Sequence, residues 1–463
     1  MSLQNETPTR TLARFICNTP SSKIPTSSMV KAKECVLDAI GCGLGGAQDE
    51  MNRNIFRRLN ELSGGCDILG AGRIAPLAWG QNARMPLLVS VLFNGIQTHT
   101  LELDDVHRSS KIHAGTVIIP ATLGVGENLG ATGLEVLRAV VIGYEVAHRL
   151  GAAINVSEHR ARGWHSTATL GVFGAAASAG VLLGLAEDEM TSALGLAGTQ
   201  SSGLWAFLAD GAANKRFHAG MASHHGVLSA ELAQAGLTGP SHILEASDGG
   251  LFPATSHHYD FDAVTKEWGE EYLIEGISIK PYACCRSMHA AIDAVLSLKA
   301  EHGLKTDQVR GVEIETYGVA KKQCGSEEWP TSPNAAQFSM RYGVAVALTD
   351  GKALAKQFSM KRLEDKELQL KAPPVEIRAT KEFDEKYPGE WGCRIHLSLE
   401  TGTTLMKTVN FPKGDPENPL SHRELREKFY SLAEGSAPQG RIRTLADMIE
   451  NLDQVANVRD LPL

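Results

Sequence analysis

The sequence predicts a mainly α protein that carries an inserted α+β domain. Apolar residues recur at helical spacing over residues 1–269, and no strong strand alternation appears there. Runs rich in β-branched and aromatic residues then alternate with helical patterns over 270–412, and helical spacing returns in 413–463. This order indicates a large helical domain built from the first and last segments, with a smaller α+β domain inserted between them.

Apolar runs in the first segment have the spacing and the Gly or Pro punctuation of helices. The first run opens with Ser-Ser, which is typical of a helix N-cap, and it carries Met29, Ala32 and Val36 at helical intervals. The predicted helices are Ser28–Gly46, Pro86–Thr98, Gly115–Leu129, Gly133–Ala153, Ala168–Leu185, Asp188–Gly198 and His218–Gly236.

The inserted segment alternates strands with helices. Cys393–Leu399 alternates apolar with polar residues, turns at Thr401-Gly402 and returns as Thr404–Phe411, which predicts a hairpin. Further strands are predicted at Tyr272–Ile279, Val309–Tyr317 and Val375–Phe383, and helices at Ser287–His302, Ala336–Asp350 and Leu354–Met360. The tail Ser421–Leu463 returns to helix. A junction between two domains is a common place for a small-molecule site.

The composition limits the partners and the compartment. A net charge of -8 argues against a general nucleic-acid binder or a protein of anionic membranes, so an anionic ligand needs a local basic cluster. The eight cysteines form no CxxC pair, and the N-terminus is polar without an apolar signal core. We therefore predict reduced thiols and a cytoplasmic protein. The run Ala168–Ala186 has the length of a bilayer span, but it is dominated by Ala, Gly and Ser, which predicts a buried helix.

Several motifs are read as structural. Gly41-Cys-Gly43-Leu-Gly45-Gly46 satisfies GxGxxG, but a helical pattern precedes it where a dinucleotide site needs a strand. The pairs His224-His225 and His257-His258 lack zinc-ligand spacing, so no metal is predicted. No base is evident beside Cys284-Cys285, and these thiols are predicted to be structural.

The stretch Leu101–Gly115 is the most informative part of the chain. It contains the carboxylates Glu102, Asp104 and Asp105, the imidazoles His107 and His113, and the cations Arg108 and Lys111. Histidine titrates near neutral pH and a neighbouring carboxylate can orient it, so this combination suits proton transfer. A polar helix end followed by a loop is the alternative that the segment alone leaves open.

Three further clusters place basic groups beside Gly or Pro. His165 follows Gly163-Trp164 just before the small-residue helix, and Lys215 and His218 lie one turn apart at a helix start. Lys280 ends a predicted strand, and Arg286 and His289 follow it. Each cluster alone is more often structural than catalytic.

At these residues the chain resembles the MmgE/PrpD family, which includes 2-methylcitrate dehydratase, cis-aconitate decarboxylase and iminodisuccinate epimerase. Ordered matches cover nearly the whole chain. They are Ile24-Pro25, Lys31–Lys33, Leu37–Cys42, Asn94-Gly95, His99, Leu103–Asp105, His113–Gly115, Gly163–His165, Lys215, His218, Lys280–Tyr282, Cys284–Arg286, His289, Phe338–Met340 and Tyr342.

The resemblance implies a helical domain with a lid-like α+β insertion, a homodimer, and an active site between the domains that uses no metal or organic cofactor. Carried over by matching motif, the catalytic candidates are Glu102, His113, His165, Lys215 and Lys280. The chain departs from several decarboxylase relatives in carrying Glu102 where they have Asp and Val106 where some have Thr, and the His107–His113 loop is one residue longer.

Family members make or quench a carbanion beside a carboxylate of a small polycarboxylic acid. We expect Lys215 and Lys280 to stabilise the resulting enediolate and His113 and His165 to move protons, with Asp104 or Asp105 orienting an imidazole and Glu102 as a further base. Arg286 is the candidate clamp for another carboxylate. The remaining predicted substrate-binding residues are His107, Lys111, His218 and His289.

The predicted function is a lyase, either dehydratase or decarboxylase, on a citrate- or aconitate-like acid. An epimerase of an iminodisuccinate-like compound and a catalytically silent binding homologue are the alternatives. Closure of the inserted domain is expected to exclude water and to bring Lys280 onto the substrate.

Overall fold

The computed structural model describes residues 7–64 and 72–463. The protein is mainly α with a smaller α+β part, as predicted. The helices of the first segment are Pro8–Cys17, Thr26–Gly46, Glu50–Ser63, Leu87–Thr98, Gly115–Leu129, Gly133–Ala153, Val156–Ala161, Ser166–Thr169, Gly171–Leu183, Glu187–Thr199, Lys215–Gln234 and Leu251–Thr255.

Local signals explain where these helices begin and end. Gly115–Leu129 and Gly133–Ala153 have the predicted boundaries. Gly130 ends the first with a left-handed φ of 77°, and Thr132 starts the second with a capping box to Glu135. The helix Glu50–Ser63 was not predicted; it is polar on average and buries only Asn52, while Ile55, Phe56 and Leu59 lie at helical spacing and are partly buried.

The small-residue segment lies at the centre of the helical part. It is divided by Leu170 into two helices, which the sequence predicted as one. A Cβ at Gly174 would lie 2.6 Å from the carbonyl oxygen of Gly143, so glycine allows Gly171–Leu183 to pack directly against Gly133–Ala153. Among the described residues, Ser166–Leu183 is apolar and long enough to cross a membrane, but 83% of it is buried inside the protein.

The GxGxxG motif is the end of a helix. Residues 41–46 form the last turns of Thr26–Gly46, as the sequence predicted. A Cβ at Gly46 would lie 1.9 Å from the carbonyl oxygen of Gln97, so glycine here permits close packing against Leu87–Thr98.

A four-stranded sheet forms the centre of the α+β part. The strand order is Val375–Ala379, Val309–Thr316, Cys393–Leu399 and Thr404–Val409; the first pair is parallel and the others are antiparallel. The predicted hairpin is present, with Gly402 at φ 85° in its turn. The helices are His289–His302, Gly318–Cys324, Pro333–Ala336, Met340–Asp350, Met360–Leu363, Lys366–Lys371 and Lys381–Lys386.

Three elements of this part differ from the prediction. Tyr272–Ile279 contains a 3₁₀ turn, Leu273–Gly276, and only two strand residues, Ile277–Ser278, which pair with Val106–His107 and lie outside the large sheet. The strand Val375–Ala379 is followed by a helix where strand was predicted to continue. The predicted helix Leu354–Met360 is a 3₁₀ turn, Ala355–Phe358.

Two large hydrophobic clusters and a small third one, formed by Ala78, Met85 and Phe93, make up the core of the described residues. One large cluster joins the first helices to Phe429, Leu445 and other residues of the C-terminal helices His422–Ala433 and Gln439–Glu450. The other large cluster contains the sheet and its helices together with Cys42, Leu103 and Leu432 of the helical part. The boundaries 269/270 and 412/413 remain predictions. The described cysteines are all free thiols, in agreement with the prediction, and Cys66 lies outside the described residues.

Candidate active site

The polar stretch is a buried loop between the helices Leu87–Thr98 and Gly115–Leu129. Its three carboxylates are at most 4% exposed, so they are not a solvated charge run. The short strand Val106–His107 within this loop pairs with Ile277–Ser278. That pairing explains how Lys280, far away in the sequence, reaches the loop.

Glu102 lies between the two predicted catalytic lysines. Its carboxylate is 2.5 Å from Lys215 Nζ and 3.7 Å from Lys280 Nζ, and its carbonyl accepts a 2.5 Å hydrogen bond from Lys280. Burial raises the pKa of Glu102, but the positive charge of Lys215 and its neighbours outweighs burial and brings the pKa to about 2. Glu102 is therefore an anion that holds both ammonium groups, and it is a weak base.

Asp104 anchors two imidazoles. Its Oδ2 is 2.9 Å from His99 Nδ1 and 3.1 Å from His113 Nδ1. Burial alone raises the pKa of Asp104, but His99 and Lys280 bring it well below its usual range. An ionised carboxylate only accepts hydrogen bonds, so the Nδ1 of an imidazole that bonds to Asp104 carries a proton.

His113 is oriented by the main chain as well as by Asp104. Its Nδ1 lies 2.7 Å from the carbonyl oxygen of Asp105, and its backbone N–H donates to Thr167 Oγ1 at 3.1 Å. Burial, together with Lys215 and Lys280, lowers the pKa of His113 to about 4 despite the opposing charge of Asp104. The imidazole is thus neutral at pH 7, with Nε2 available as a proton acceptor.

Asp105 has a different role from the one predicted. Its carboxylate accepts hydrogen bonds from the Gly115 N–H at 2.9 Å and from the Tyr144 hydroxyl at 2.7 Å, so only its carbonyl orients an imidazole. Burial raises the pKa of Asp105 to about 7. The carboxylate fixes the start of the buried helix to the loop.

His165 lies behind this group. Its Nδ1 is 3.2 Å from His218 Nδ1, its ring packs edge-on against Trp205, and it stacks 6.3 Å from the ring of His99. Burial, followed by the charge of Lys215, lowers its pKa well below the usual range. One of these two Nδ1 atoms donates a hydrogen bond to the other, so His218 fixes the position of the His165 ring.

His99 was missed as a site residue by the sequence reasoning. The signal was present in its spacing, three residues before Glu102 and five before Asp104, at a motif that also matched the family. Its Nε2 is buried without a hydrogen-bond partner in the described structure and lies 3.7 Å from Glu102 Oε1. His99, Asp104 and His113 could together hold a metal ion, since their ligand atoms lie within 4.8 Å of one another. Binding through Nδ1 would require both imidazoles to release those protons.

Two connected cavities meet at Glu102 and Lys215, between the helical part and the α+β part. The inner one has a volume of about 90 Å³ and is lined by residues that include Lys111, His113, Arg160, Cys285, Arg286 and Tyr387. The outer one has a volume of about 300 Å³ and is lined by residues that include His99, Phe207, Arg216 and Trp329. Gln323 and Phe338 line both.

Arg160 and Lys111 are cations of the inner cavity that form no ion pair within residues 7–64 and 72–463. The guanidinium of Arg160, which the sequence reasoning missed, lies over the ring of Trp205 at 4.0 Å. Lys111 donates to Ser157 Oγ at 2.8 Å and lies 4.6 Å from the ring centre of Tyr387. Burial, followed by the charge of Arg160, lowers the pKa of Lys111 to about 8.

Three predicted binding residues are held in other contacts. His107 and His289 line neither cavity: His107 hydrogen-bonds Ser110 Oγ at 3.1 Å, and His289 Nδ1 is 2.9 Å from the Arg286 guanidinium. Arg286 borders the inner cavity, but its terminal nitrogens bind Asp415 at 2.5 Å and the carbonyls of residues 412 and 413. The structure therefore gives Arg286 a structural ion pair where the sequence predicted a substrate clamp.

The C-terminal helix His422–Ala433 contacts the loop between Leu87–Thr98 and Gly115–Leu129. Lys428 Nζ donates to Asp38 and, at 2.7 Å, to the carbonyl oxygen of Leu103. Lys428 and Asp38 are both buried. The loop that contains Glu102 and Asp104 is thus fixed by a residue from the far end of the chain.

Comparisons with known proteins agree with this architecture. The model of the MmgE/PrpD N-terminal domain matches residues 10–263, and that of the C-terminal domain matches residues 282–454. The cis-aconitate decarboxylase of Aspergillus terreus is 28% identical over 98% of this chain and 94% of its own length. The human cis-aconitate decarboxylase is 25% identical over 92% of this chain and 87% of its own length. The chain belongs to the MmgE/PrpD family.

Proposed function

We propose that this chain is a lyase that works without a metal or organic cofactor and removes carbon dioxide from an aconitate-like tricarboxylate. The observation that carries the proposal is the inner cavity, in which Lys111, Arg160 and Lys215 surround the oriented imidazole of His113. Relatives named cis-aconitate decarboxylase match nearly the whole chain, which favours decarboxylation over the dehydration and epimerisation also known in the family.

Lys111 and Arg160 are proposed to bind two carboxylates of the substrate. Partial burial of cations without an anionic partner is unfavourable, and burial lowers the pKa of Lys111 to about 8. A bound polycarboxylate supplies the missing charge, and the guanidinium can grip one carboxylate through two hydrogen bonds. Ser157 and Ser166 line the same cavity and can donate further hydrogen bonds.

In the proposed reaction, the bond between a methylene carbon and its carboxylate breaks, and carbon dioxide leaves. The electron pair left on the methylene carbon forms a new double bond, and the electrons of the original double bond move to the carbon beside a second carboxylate. That carbon and its carboxylate together form an enediolate. Lys215, already held in place by Glu102 and only 8% exposed, stabilises this negative charge. Lys280 is fully buried and lines neither cavity, so we assign it the role of fixing Glu102.

Protonation of the second carbon completes the reaction, and we assign this step to His113. The free imidazole is neutral, but a bound trianion raises the pKa of nearby groups and favours the protonated form. Nδ1 stays fixed by Asp104 and the Asp105 carbonyl, so Nε2 carries the proton that moves to carbon. His165 and His218 lie behind His99 and His113 and can return a proton to the site between turnovers.

The test is incubation of the purified protein in deuterated water with cis-aconitate, 2-methylcitrate or iminodisuccinate, followed by mass spectrometry and NMR. We expect cis-aconitate to release one equivalent of carbon dioxide and the product to gain one carbon-bound deuterium. Lys356→Ala, at a lysine 90% exposed and outside the site, is the matched control for lysine variants.

Other outcomes would assign a different function to the protein. Loss of water from 2-methylcitrate without carbon dioxide shows a dehydratase, and deuterium uptake with inversion of iminodisuccinate shows an epimerase. Saturable calorimetric binding of cis-aconitate with no turnover of any of the three compounds shows a silent binding homologue.

A homodimer is also proposed on the family resemblance alone, and a cytoplasmic location on the cysteines, which form no CxxC pair. Light scattering of the purified protein tests the dimer, and fractionation of cells that express it tests the location.

A further inference from the structure

Cys285 lies in the wall of the inner cavity. It lines this cavity together with Glu102, Lys215 and Gln323. Its Sγ is 4.0 Å from Gln323 Oε1, and its backbone N–H donates to the carbonyl of residue 337 at 2.8 Å. A small polar reagent that enters the substrate cavity therefore meets this thiol.

Cys324 is the partner of Cys285. It is the last residue of the helix Gly318–Cys324, it is fully buried, and it directly follows Gln323, whose Oε1 lies 4.0 Å from Cys285 Sγ. A hydrogen bond from the Cys324 thiol lowers the pKa of Cys285 to about 7, against the effect of burial. A thiolate beside a second thiol at the edge of a cavity is the arrangement of cysteines that react with oxidants.

The neighbouring cysteine differs in each of these respects. Cys284 is 0% exposed and lines neither of the two site cavities. Burial raises its pKa well above the usual range, so it stays protonated at neutral pH. The adjacent thiol thus provides an internal comparison for the reactivity of Cys285.

We propose that Cys285 and Cys324 form a peroxide-sensitive dithiol that shuts the active site when it is oxidised to a disulfide. The effect on turnover rests on the proposed function, whereas formation of the disulfide does not.

The reaction takes two steps. The Cys285 thiolate attacks one oxygen of hydrogen peroxide; an S–O bond forms, the O–O bond breaks, and the departing hydroxide takes up a proton and becomes water. Cys324 then loses its proton and attacks the sulfenic sulfur, the S–O bond breaks, and the second hydroxide leaves with that proton as water. Two thiols and one peroxide give one disulfide and two waters, so the protein loses two electrons.

The disulfide changes the cavity wall next to the reacting groups. It ties Cys285 to the end of the helix Gly318–Cys324, next to Gln323, which lines both cavities. Residue 285 directly precedes Arg286, whose ion pair with Asp415 borders the same cavity. We therefore expect oxidation to lower kcat for the substrate and reduction to restore it.

The test treats the full-length protein with a small molar excess of hydrogen peroxide and digests it with trypsin without reduction. We expect a cross-linked pair made of the peptide that ends at Arg286 and the peptide 323–341, lighter by two hydrogen atoms than the two free peptides together. Fragmentation assigns the bond to residue 285 or 284. Dithiothreitol should separate the pair and return activity.

Variants separate the mechanism from general oxidation. Cys284→Ser should still form the cross-link, Cys285→Ser should not, and Cys324→Ser should accumulate a sulfenic acid that dimedone traps at Cys285. Each variant is compared with its own untreated rate. A bond from Cys284, recovery of both thiols unmodified, or equal inactivation of Cys285→Ser would overturn the proposal. If the cross-link forms and no substrate is turned over, the proposed function fails while the dithiol stands.

Discussion

Asp104→Asn should abolish most of the activity while leaving the fold intact. Asp104 accepts hydrogen bonds from Nδ1 of both His99 and His113 at 2.9 and 3.1 Å. An asparagine of the same shape can turn its NH₂ group toward these nitrogens, which favours the tautomer with the proton on Nε2. The lone pair at Nε2 that receives a proton between turnovers is then lost.

The size of the effect follows from the bonds that are removed. A hydrogen bond to a charged group contributes about 1.5–3 kcal/mol, so two of them contribute about 3–6 kcal/mol. At about 1.4 kcal/mol for each factor of ten, kcat should fall by about 10² to 10⁴. KM should change little, because Lys111 and Arg160, which we assign to substrate binding, do not contact Asp104.

The assay is the initial rate of carbon dioxide release from cis-aconitate, with kcat and KM fitted separately. Circular dichroism and the thermal midpoint show whether the variant is folded. Asp293→Asn is a matched control, because Asp293 is a partly buried aspartate that accepts from Tyr282 and the Lys413 N–H away from the imidazoles. A folded Asp104→Asn protein with kcat within about fivefold of the parent would refute the orienting role, since two charge-assisted bonds are worth more than that.

Four further predictions follow from the site. Arg160→Ala and Lys111→Ala should each raise KM for cis-aconitate by at least about tenfold, since each removes one charge-assisted contact, and an unchanged KM in both would contradict their assignment. His165→Gln and Lys215→Ala should each lower kcat by at least about 100-fold, and near-normal rates in both would remove these residues from the mechanism. Because the pKa of Asp105 is raised to about 7 in the folded protein, ionisation of this carboxyl should lower the stability of the fold as pH rises from about 4 to 7. Asp105→Asn should therefore raise the thermal midpoint more at pH 8 than at pH 5. The reverse order would contradict the buried position of the carboxyl. Dialysis against EDTA should leave activity unchanged, and a loss that zinc restores would assign His99, Asp104 and His113 to a metal.

The sequence predicted the helical class because long, nearly uninterrupted apolar runs mark helices that are buried on several sides. Gly115–Leu129 and Gly133–Ala153 illustrate this, since Gly and a capping box also mark their ends. Glu50–Ser63 was not predicted because its apolar residues are few and those that pack inward, Ile55, Phe56 and Leu59, are only partly buried. The segment before Lys280 looked like a sheet strand, yet only a contact distant in sequence, with Val106–His107, determines what it pairs with.

The sequence indicated the chemistry of the loop but not its geometry. Asp and His close together indicated proton transfer, and the structure brings Glu102, Asp104, His113, Lys215 and Lys280 into one contiguous group. Which carboxylate faces which imidazole depends on the path of the loop, so Asp105 could not be separated from Asp104 by sequence. Arg160 carries no motif, and it became a candidate only because the fold places it in the cavity without an acidic partner in the part of the chain that is described.

The bond from Lys428 to Leu103 has a consequence for how the protein matures. The ammonium that holds the loop belongs to a helix that is synthesised 325 residues after Leu103. A chain truncated before this helix would contain every side chain to which we assign proton transfer, but it would lack the hydrogen bond that fixes the loop. We therefore expect such a chain to be inactive even where its first helices fold.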